Sequence, residues 1–294
     1  MGHPLQTLTG ILLALCAVAG FATLDTTTKW VTASVPLLMV LWFRYLFQAV
    51  AVSATEWPRR GRALLRTEHP WLHLGRGVAL LSSSFFAFMC LRVMPVGEFT
   101  AVVMITPLLV TLLSARMLGE RVTLLRWLLV LGGFAGTLVI TRPGGDELGW
   151  NGLLAVGLVA STTGFQLLTS RMSRTEDPMT MQFYSGWIGA LIATLPLPWV
   201  WADIDSLSHW AGLVAIGVFG TLSHYLLILA YQRAPASTLM PYLYAQIAFA
   251  MVGGWLVFSH VPDALSLLGM AMIAGCGALG AWLTVRERRA ALLA

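Results

Sequence analysis

The sequence predicts an all-α polytopic membrane protein in which ten transmembrane helices form two inverted five-helix repeats. Three observations support this fold class: the composition, a series of ten apolar segments, and a faint internal repeat. Of the 294 residues, 57% are hydrophobic and 11% are charged, and the mean hydropathy is +0.78. Soluble domains carry about 25% charged residues. The chain therefore has too little polar surface for water, and the lipid bilayer is its first predicted partner.

Ten segments are apolar over the roughly 20 residues that a helix needs to cross about 30 Å of hydrocarbon. Backbone polar groups in lipid must be hydrogen-bonded within the segment, so each span is predicted to be a helix. Residues 1–7 carry no positive side chain, which argues against a cleaved signal peptide at the first segment. The predicted spans are residues 7–28, 36–55, 71–91, 97–117, 123–141, 149–170, 180–200, 209–232, 238–258 and 263–285.

The last five segments repeat the first five. An offset of 142 residues aligns Gly10 with Gly152, Lys29 with Arg171 and Pro36 with Pro178; an offset of 140 aligns Ser83 with Ser223, Pro95 with Pro235 and Leu131 with Ala271. Because five is odd, the two copies must cross the membrane in opposite orientations, as in many secondary transporters. We predict a single membrane domain over residues 1–294, with repeat 1 at about 5–145 and repeat 2 at about 146–290.

Charge predicts the orientation. If the N-terminus is cytoplasmic, the inner loops and the C-terminus hold 13 arginines, and the outer loops hold three basic residues, Lys29, Arg92 and Arg142. This excess of positive charge on one side places both termini in the cytoplasm. The basic residues are spread over short loops and form no continuous patch, so no nucleic-acid partner is predicted.

The cysteines suggest no metal or redox chemistry. Cys16, Cys90 and Cys276 each lie inside an apolar span and show no metal-ligand spacing. We interpret them as small, inert, buried thiols. Neither a metal nor a cofactor is predicted.

One stretch carries a family resemblance. Residues 91–140 combine a proline before the fourth span (Pro95), a proline within it (Pro107), Gly119-Glu120 at its end, and a glycine-rich fifth span; the second copy keeps an Ala-Pro-Ala-Ser motif at residues 234–237. This pattern resembles the drug/metabolite transporter superfamily in its EamA-type, ten-helix branch. The resemblance implies a central cavity between spans 3, 4, 8 and 9, joined by spans 1 and 6. The second copy departs from the pattern, with His260 in place of the usual glutamate and Ile247 in place of the usual proline.

Prolines inside two spans predict local distortion. Pro107 and Pro241 each remove a backbone donor, which kinks the helix and frees a carbonyl. The kinks are equally consistent with a hinge or binding surface and with an ordinary transmembrane proline.

Polar and aromatic residues at membrane depth are the candidates for the binding site. Such polar residues are costly in lipid and usually face the bundle interior. Under the repeat alignment Ser84 matches His224, and Thr106 matches Gln246. The alternative is that hydroxyl groups bond to their own helix backbone. The predicted substrate-binding residues are Ser82, Ser84, Phe85, Phe86, Thr106, Gln166, His224, Tyr242 and Gln246.

Charged residues within the spans are few. Arg44 lies about 12 Å into the second span, at 1.5 Å per residue. We expect it to pair with Asp25 or Glu98, although it is also placed to meet a substrate carboxylate. Asp25 and Lys29, one turn apart, offer an alternative pair. His224 is interpreted as a hydrogen-bonded neutral imidazole and is the first candidate for a proton-binding group if transport is proton-linked.

These observations predict a secondary transporter of the bacterial inner membrane that works by alternating access. The predicted substrates are small neutral or zwitterionic metabolites, most of all exported amino acids with apolar or aromatic side chains, because the predicted lining is aromatic and hydroxylic. Export of another neutral metabolite or drug is the alternative. Within the superfamily, the chain is most similar to the aromatic-amino-acid exporter type. No catalytic constellation argues for an enzyme, and no charged ring or filter loop argues for a channel. The oligomeric state is left open.

Overall fold

The computed structural model describes residues 4–93, 102–119, 122–141, 150–259 and 263–293. Within these ranges the chain forms helices, turns and short loops and no β-strand. A 3₁₀ helix (Gly61–Leu65) and one helical turn (Leu197–Val200) lie between the long helices. The long helices are α1 (Pro4–Val31), α2 (Leu37–Arg60), α3 (Pro70–Val93), α4 (Thr106–Met117), α5 (Leu124–Thr141), α6 (Trp150–Met172), α7 (Pro178–Thr194), α8 (Leu207–Arg233), α9a (Ala236–Leu243), α9b (Ala245–Phe258) and α10 (Ala264–Leu293).

The helices match the predicted spans, with three exceptions. α7 ends at Thr194, six residues before the predicted end of span 7, and a turn at Leu195 and Pro196 separates it from the helical turn Leu197–Val200. Six stretches are long and apolar enough to cross a membrane, and α4, α5 and α10 supply shorter apolar helices. Spans 4 and 9 are not continuous helices as predicted. The helical backbone is interrupted by a turn at Met104 and Ile105, and again at Tyr244. Pro107 and Pro241 lie two or three residues from these interruptions, and a proline inside a helix removes one backbone hydrogen bond and crowds the preceding turn.

Helix packing follows the predicted twofold repeat. The most extensive contact joins α1 to α8, and its counterpart joins α6 to α3; α5 packs against α10, α2 against α7, and α4 against α9a. Replacing each helix by its counterpart five positions along the chain reproduces this set of pairs. The contact pattern therefore agrees with two five-helix units related by an approximate twofold axis.

The bundle has two ends. Consecutive helices run in opposite directions, so α1 begins and α10 ends on the same side, here called the terminal face; the other side is the opposite face. At the terminal face α1 approaches α8 closely: a Cβ added at Gly10 would lie 3.0 Å from Cβ of Ala234 and 3.2 Å from the carbonyl oxygen of Ala230. Small residues allow such close helix contacts in membranes.

Several residues singled out in the sequence lie outside the described ranges. They are Pro95, Glu98, Glu120 and His260, together with the proposed repeat junction at residues 145 and 146. The interpretations attached to them, and the exact repeat boundaries, stay predictions.

Candidate substrate-binding site

The centre of the bundle holds a buried guanidinium group. Arg44 on α2 is 8% exposed, and it donates from Nη1 to Oγ of Ser84 on α3 and from Nη2 to Nε2 of His224 on α8, both at 2.9 Å. Tyr45 lies 3.1 Å from Ser84 through its hydroxyl group. Since Ser84 donates its single proton to the carbonyl of Leu80, it accepts from Tyr45. Arg44, Tyr45, Ser84 and His224 are called the Arg44 cluster.

The cluster fixes the proton on His224. A guanidinium group has donors and no acceptor, so Nε2 of His224 accepts and the neutral ring carries its hydrogen on Nδ1. Nδ1 of His224 and Nε of Arg44 have no hydrogen-bond partner among the described residues. The interpretation of His224 as a hydrogen-bonded neutral imidazole agrees with this geometry.

Aromatic rings enclose the cluster. Phe21 of α1 and Phe165 of α6 meet the imidazole of His224 edge-on, with ring centroids 4.7 Å and 5.3 Å away. The guanidinium carbon of Arg44 lies 5.3 Å from the ring centre of Tyr45. Aromatic faces stabilise a cation and offer stacking surfaces to a flat ligand. Five helices, α1, α2, α3, α6 and α8, thus meet at the Arg44 cluster.

Arg44 joins positions that are equivalent in the two repeats. Ser84 and His224 are separated by 140 residues, the repeat offset of this region. Both accept a hydrogen bond from the same guanidinium, so Arg44 connects the two halves of the bundle. The expected pairing of Arg44 with Asp25 is wrong, because the neutral partners Ser84 and His224 occupy both terminal nitrogens.

More polar contacts lie between the Arg44 cluster and the terminal face. Gln48 of α2 donates to both the side-chain and backbone oxygens of Gln182 on α7, and Gln182 donates to the carbonyl of Thr221 on α8. Arg76 is fully buried; it donates to Thr169, to the carbonyl of Met181 and to Ser185. These contacts hold α2, α3, α6, α7 and α8 together on the terminal side.

One face of α1 changes from buried to exposed along its length. Ile11, Ala14 and Val18 share this face, at 100° per residue, and are 3%, 0% and 1% exposed. Asp25 and Lys29 continue the same stripe toward the opposite face, and both are exposed. A probe of water size therefore reaches the interior side of α1 in its last third and not in its first half.

A separate stripe of α1 faces outward along its whole length. It consists of Leu12, Cys16, Thr23 and Trp30, all exposed, and lies about 150° around the helix from Asp25. Its exposure in both halves suits a surface against lipid. The exposure of Asp25 and Lys29 is thus on the interior side. The space beside Asp25 and Lys29 is called the vestibule, and it opens toward the opposite face.

The vestibule joins the two repeats. Gln246 of α9b donates to Oδ2 of Asp25 at 2.9 Å, and Nζ of Lys29 lies 5.2 Å from the ring centre of Phe258. The alternative pairing of Asp25 with Lys29 is wrong as well, since no salt bridge among the described residues includes Asp25. Phe21, half-buried one turn below Asp25, connects the vestibule to His224.

The two helix interruptions meet each other. The hydroxyl of Tyr244, which is fully buried, donates to the carbonyl oxygen of Met104 at 3.3 Å. These positions are also separated by 140 residues, so they are equivalent in the two repeats. Discontinuous helices of this kind often form transporter sites, because their free backbone groups face the interior.

The predicted site residues divide into groups. Ser84 and His224 come together at Arg44, whereas Gln246 lies in the vestibule. Phe85 is 39% exposed, on a stripe of α3 with the exposed residues Leu74 and Val78, away from the Arg44 cluster.

The remaining predicted residues lie at other helix contacts. Ser82 is half-buried on α3, and the ring of Phe86 packs against α6 at Gly157.

Thr106, 1% exposed, begins α4, and its hydroxyl has no hydrogen-bond partner among the described residues. Gln166 accepts from the hydroxyl of Tyr231 at 3.4 Å. Tyr242 is buried against α10, with its hydroxyl near Gly280.

Sequence reasoning missed three parts of this arrangement. Tyr45 and Phe21 are aromatic residues in apolar spans, and no pattern in the neighbouring sequence distinguishes them from residues that face lipid. Gln48 and Gln182 were detectable, since an amide at membrane depth signals an interior position.

Comparison with known proteins agrees with the fold. A model of the EamA-like transporter family matches residues 8–142 and again residues 150–285. A solved crystal structure that covers 95% of this chain superposes with a TM-score of 0.79 at 23% identity, which shows a shared fold.

Several similar proteins are transporters by name. A riboflavin transporter from Rhizobium johnstonii is 29% identical and covers 92% of this chain and 90% of its own length. An S-adenosylmethionine uptake transporter from Rickettsia felis is 25% identical over 93% of this chain and 92% of its own length. A pseudopaline exporter from Pseudomonas aeruginosa is 28% identical, with 90% and 93% covered.

The prediction of a transporter rather than an enzyme is confirmed by these relatives, whereas the narrower resemblance to aromatic-amino-acid exporters stays a prediction. This chain is a multi-pass membrane protein that transports small metabolites. Because the family model matches both repeats, the chain belongs to the EamA-like transporter family.

Proposed function

We propose that the chain carries a flat aromatic metabolite of the riboflavin type by alternating access, with the floor of its site at Phe21, His224 and Arg44. One observation carries the proposal: the interior face of α1 turns from exposed to buried between Asp25 and Val18, at the level where Phe21 meets His224. A site that is accessible from one face and closed to the other is the arrangement that alternating access requires.

The chemistry of this floor supports a planar, polar ring system. Phe21 and Phe165 offer aromatic surfaces, and Arg44 offers donors to ring carbonyl or ring nitrogen acceptors. Riboflavin transporters from Rhizobium johnstonii, Vibrio cholerae and Brucella anthropi are 27–29% identical to this chain. The chemistry of the floor and the similarity to these transporters make riboflavin the first substrate to test.

A second candidate is the export of amino acids with aromatic or apolar side chains. Asp25 and Arg44 carry opposite charges in the same half of the bundle and are not paired with each other. A zwitterion would complement both, its ammonium group at Asp25 and its carboxylate at Arg44.

The charge bias of the loops supports an orientation with both termini in the cytoplasm of a bacterial inner membrane. In that orientation the vestibule opens outside. An alternating-access carrier is reversible, so gradients and coupling determine the net direction.

Counterflow in proteoliposomes tests the substrate. Labelled riboflavin should enter vesicles loaded with unlabelled riboflavin, and phenylalanine or S-adenosylmethionine in excess should not block it. Saturable exchange of phenylalanine or tryptophan without riboflavin exchange would favour the second candidate. Failure of all of these solutes would contradict both.

Two adjacent serines provide a matched control. Ser84 bonds Arg44, whereas Ser83 bonds Thr162 of α6 at 2.7 Å. We expect Ser84→Ala to raise the half-saturating riboflavin concentration about tenfold, the effect of one charge-assisted hydrogen bond. Ser83→Ala should change it less than about threefold. Equal effects would contradict a role of the Arg44 cluster in binding.

A further inference from the structure

We propose that Asp25 is a proton-binding residue, and that its protonation favours closure of the vestibule. This inference deepens the proposed transport function by assigning the group that links it to protons. It concerns the vestibule, and it does not depend on which metabolite is carried.

The position of Asp25 supplies the first argument. It lies six residues before the end of α1, about 9 Å below the opposite face at 1.5 Å per residue, on the stripe that is buried in the terminal half. An ionisable residue on the interior side of a membrane span is costly and is usually functional. Its exposure gives protons from water a route to the carboxylate.

The hydrogen bond of Asp25 supplies the second argument. Asp25 belongs to repeat 1 and its donor Gln246 to repeat 2, so the contact spans the two parts that move in alternating access. The amide of Gln246 occupies Oδ2. A proton from bulk water adds to Oδ1, converts the carboxylate to the neutral acid, and leaves the bond from Gln246 in place.

The free energy of closing the vestibule depends on whether Asp25 is protonated. In the closed vestibule Asp25 would lose its contact with water, and burial of an unpaired carboxylate costs several kcal/mol. Among the described residues Asp25 forms no salt bridge; Arg44, the nearest interior cation, is bonded to Ser84 and His224 instead. The neutral acid avoids most of this cost. The closed state therefore binds the proton more tightly than the open state, and by linkage the proton favours closure.

Other titratable groups on the surrounding helices are poorer candidates. His224 accepts from Arg44 through Nε2, so a second ring proton would face a cation. His209 stacks on Trp30 at the outer end of α1. Arg44 of α2 bonds His224. On α1 and on the helices packed against it, α8, α9a, α9b and α10 up to Gly280, the other charged and titratable residues, with Tyr244 between α9a and α9b, are Cys16, Lys29, His209, His224, Tyr225, Tyr231, Arg233, Tyr242, Tyr244 and Cys276.

Thiol labelling in nanodiscs tests the proposal without a substrate. Ala250 lies one turn beyond Gln246 on the same side of α9b and is half-buried. With Cys16, Cys90 and Cys276 replaced by alanine, Ala250→Cys reports access to the vestibule. Asp205→Cys, in the exposed loop before α8, corrects for the pH dependence of the thiol reaction.

The normalised labelling rate at residue 250 should fall on acidification by about fivefold or more, a coupling of ordinary size between sites. Asp25→Asn, which keeps the acceptor for Gln246 and mimics the neutral acid, should give the low rate at every pH. A pH effect that persists in Asp25→Asn, or that disappears in His224→Gln instead, would overturn the proposal. So would a parent protein without a pH effect.

Because this measurement uses no metabolite, its result is independent of the riboflavin assay. Loss of pH-dependent labelling with intact riboflavin exchange would refute the role of Asp25 alone. Intact pH-dependent labelling without riboflavin exchange would refute the substrate alone.

Discussion

The last thirds of α1 and α6 are equivalent in the repeat and differ in environment. Asp25 of α1 aligns with Leu167 of α6 at an offset of 142; Asp25 is exposed in the vestibule, whereas Leu167 is 8% exposed in the core of the terminal half. An exact twofold axis would give both positions the same surroundings. The difference shows that the bundle is open at the opposite face and closed at the terminal face. The two access states of an inverted repeat are related by exchange of these two environments.

The largest expected effect is a difference in thiol-labelling rate between α9b and its counterpart α4. Ala250 of α9b is half-buried, whereas Val110, its equivalent at an offset of 140, is fully buried. With the native cysteines removed, Ala250→Cys should react with a membrane-impermeant maleimide at least about tenfold faster than Val110→Cys, because minor conformational states are typically populated at 0.1–10%.

The same labelling in intact cells tests the orientation. Reaction at residue 250 from outside agrees with cytoplasmic termini. Equal rates at the two positions would contradict the assignment of an open and a closed half.

A second prediction concerns the close contact between α1 and α8 in the closed terminal half. Gly10→Val should separate α1 from α8, since its Cβ would meet Ala234 and the carbonyl of Ala230 at 3.0–3.2 Å. We expect a loss of about 1–3 kcal/mol in the free energy of unfolding, typical of overpacking, and faster labelling of Val110→Cys. Thermal unfolding in detergent and maleimide kinetics measure both effects.

Gly164 on α6 is the control for this substitution, because no atom lies within 4 Å of a Cβ added there. Gly164→Ala should leave labelling unchanged and alter stability by less than about 1 kcal/mol. An equal loss of stability in both variants would mean that the close approach at Gly10 is not responsible.

The smallest expected effect concerns the bond between the two helix interruptions. Tyr244→Phe removes the hydroxyl that donates to Met104 and should cost about 0.5–1.5 kcal/mol in the free energy of unfolding. Tyr244→Ala also removes the buried ring and should cost about 3–5 kcal/mol. Chemical denaturation compares the two. No difference between Tyr244→Phe and the parent would show that ring packing alone holds the interruptions together.

Much of the fold was predictable because lipid imposes strong constraints on the backbone. Span length and helical structure follow from bilayer thickness, and the observed helices agree with them at the described spans except the interrupted fourth and ninth and the seventh, whose helix ends at Thr194. The repeat alignment also predicted that Ser84 and His224 are equivalent. The site itself was less predictable. The partners of Arg44 depend on how α3 and α8 cross α2, and charge alone favoured Asp25. Phe85 was indistinguishable from an interior residue, since lipid-facing and cavity-facing aromatics have the same composition.

Arg44 also distinguishes this chain from a dimer of identical five-helix subunits. A homodimer of identical five-helix subunits would place two arginines symmetrically about the axis, and two like charges in a medium of low dielectric constant repel strongly. In the fused chain the counterpart of Arg44 is Gly186, whose added Cβ would collide with the backbone of Ala49. Because the two copies lie in one chain and differ in sequence, one carries the arginine and the other a glycine. A dimer of identical subunits cannot have this asymmetry.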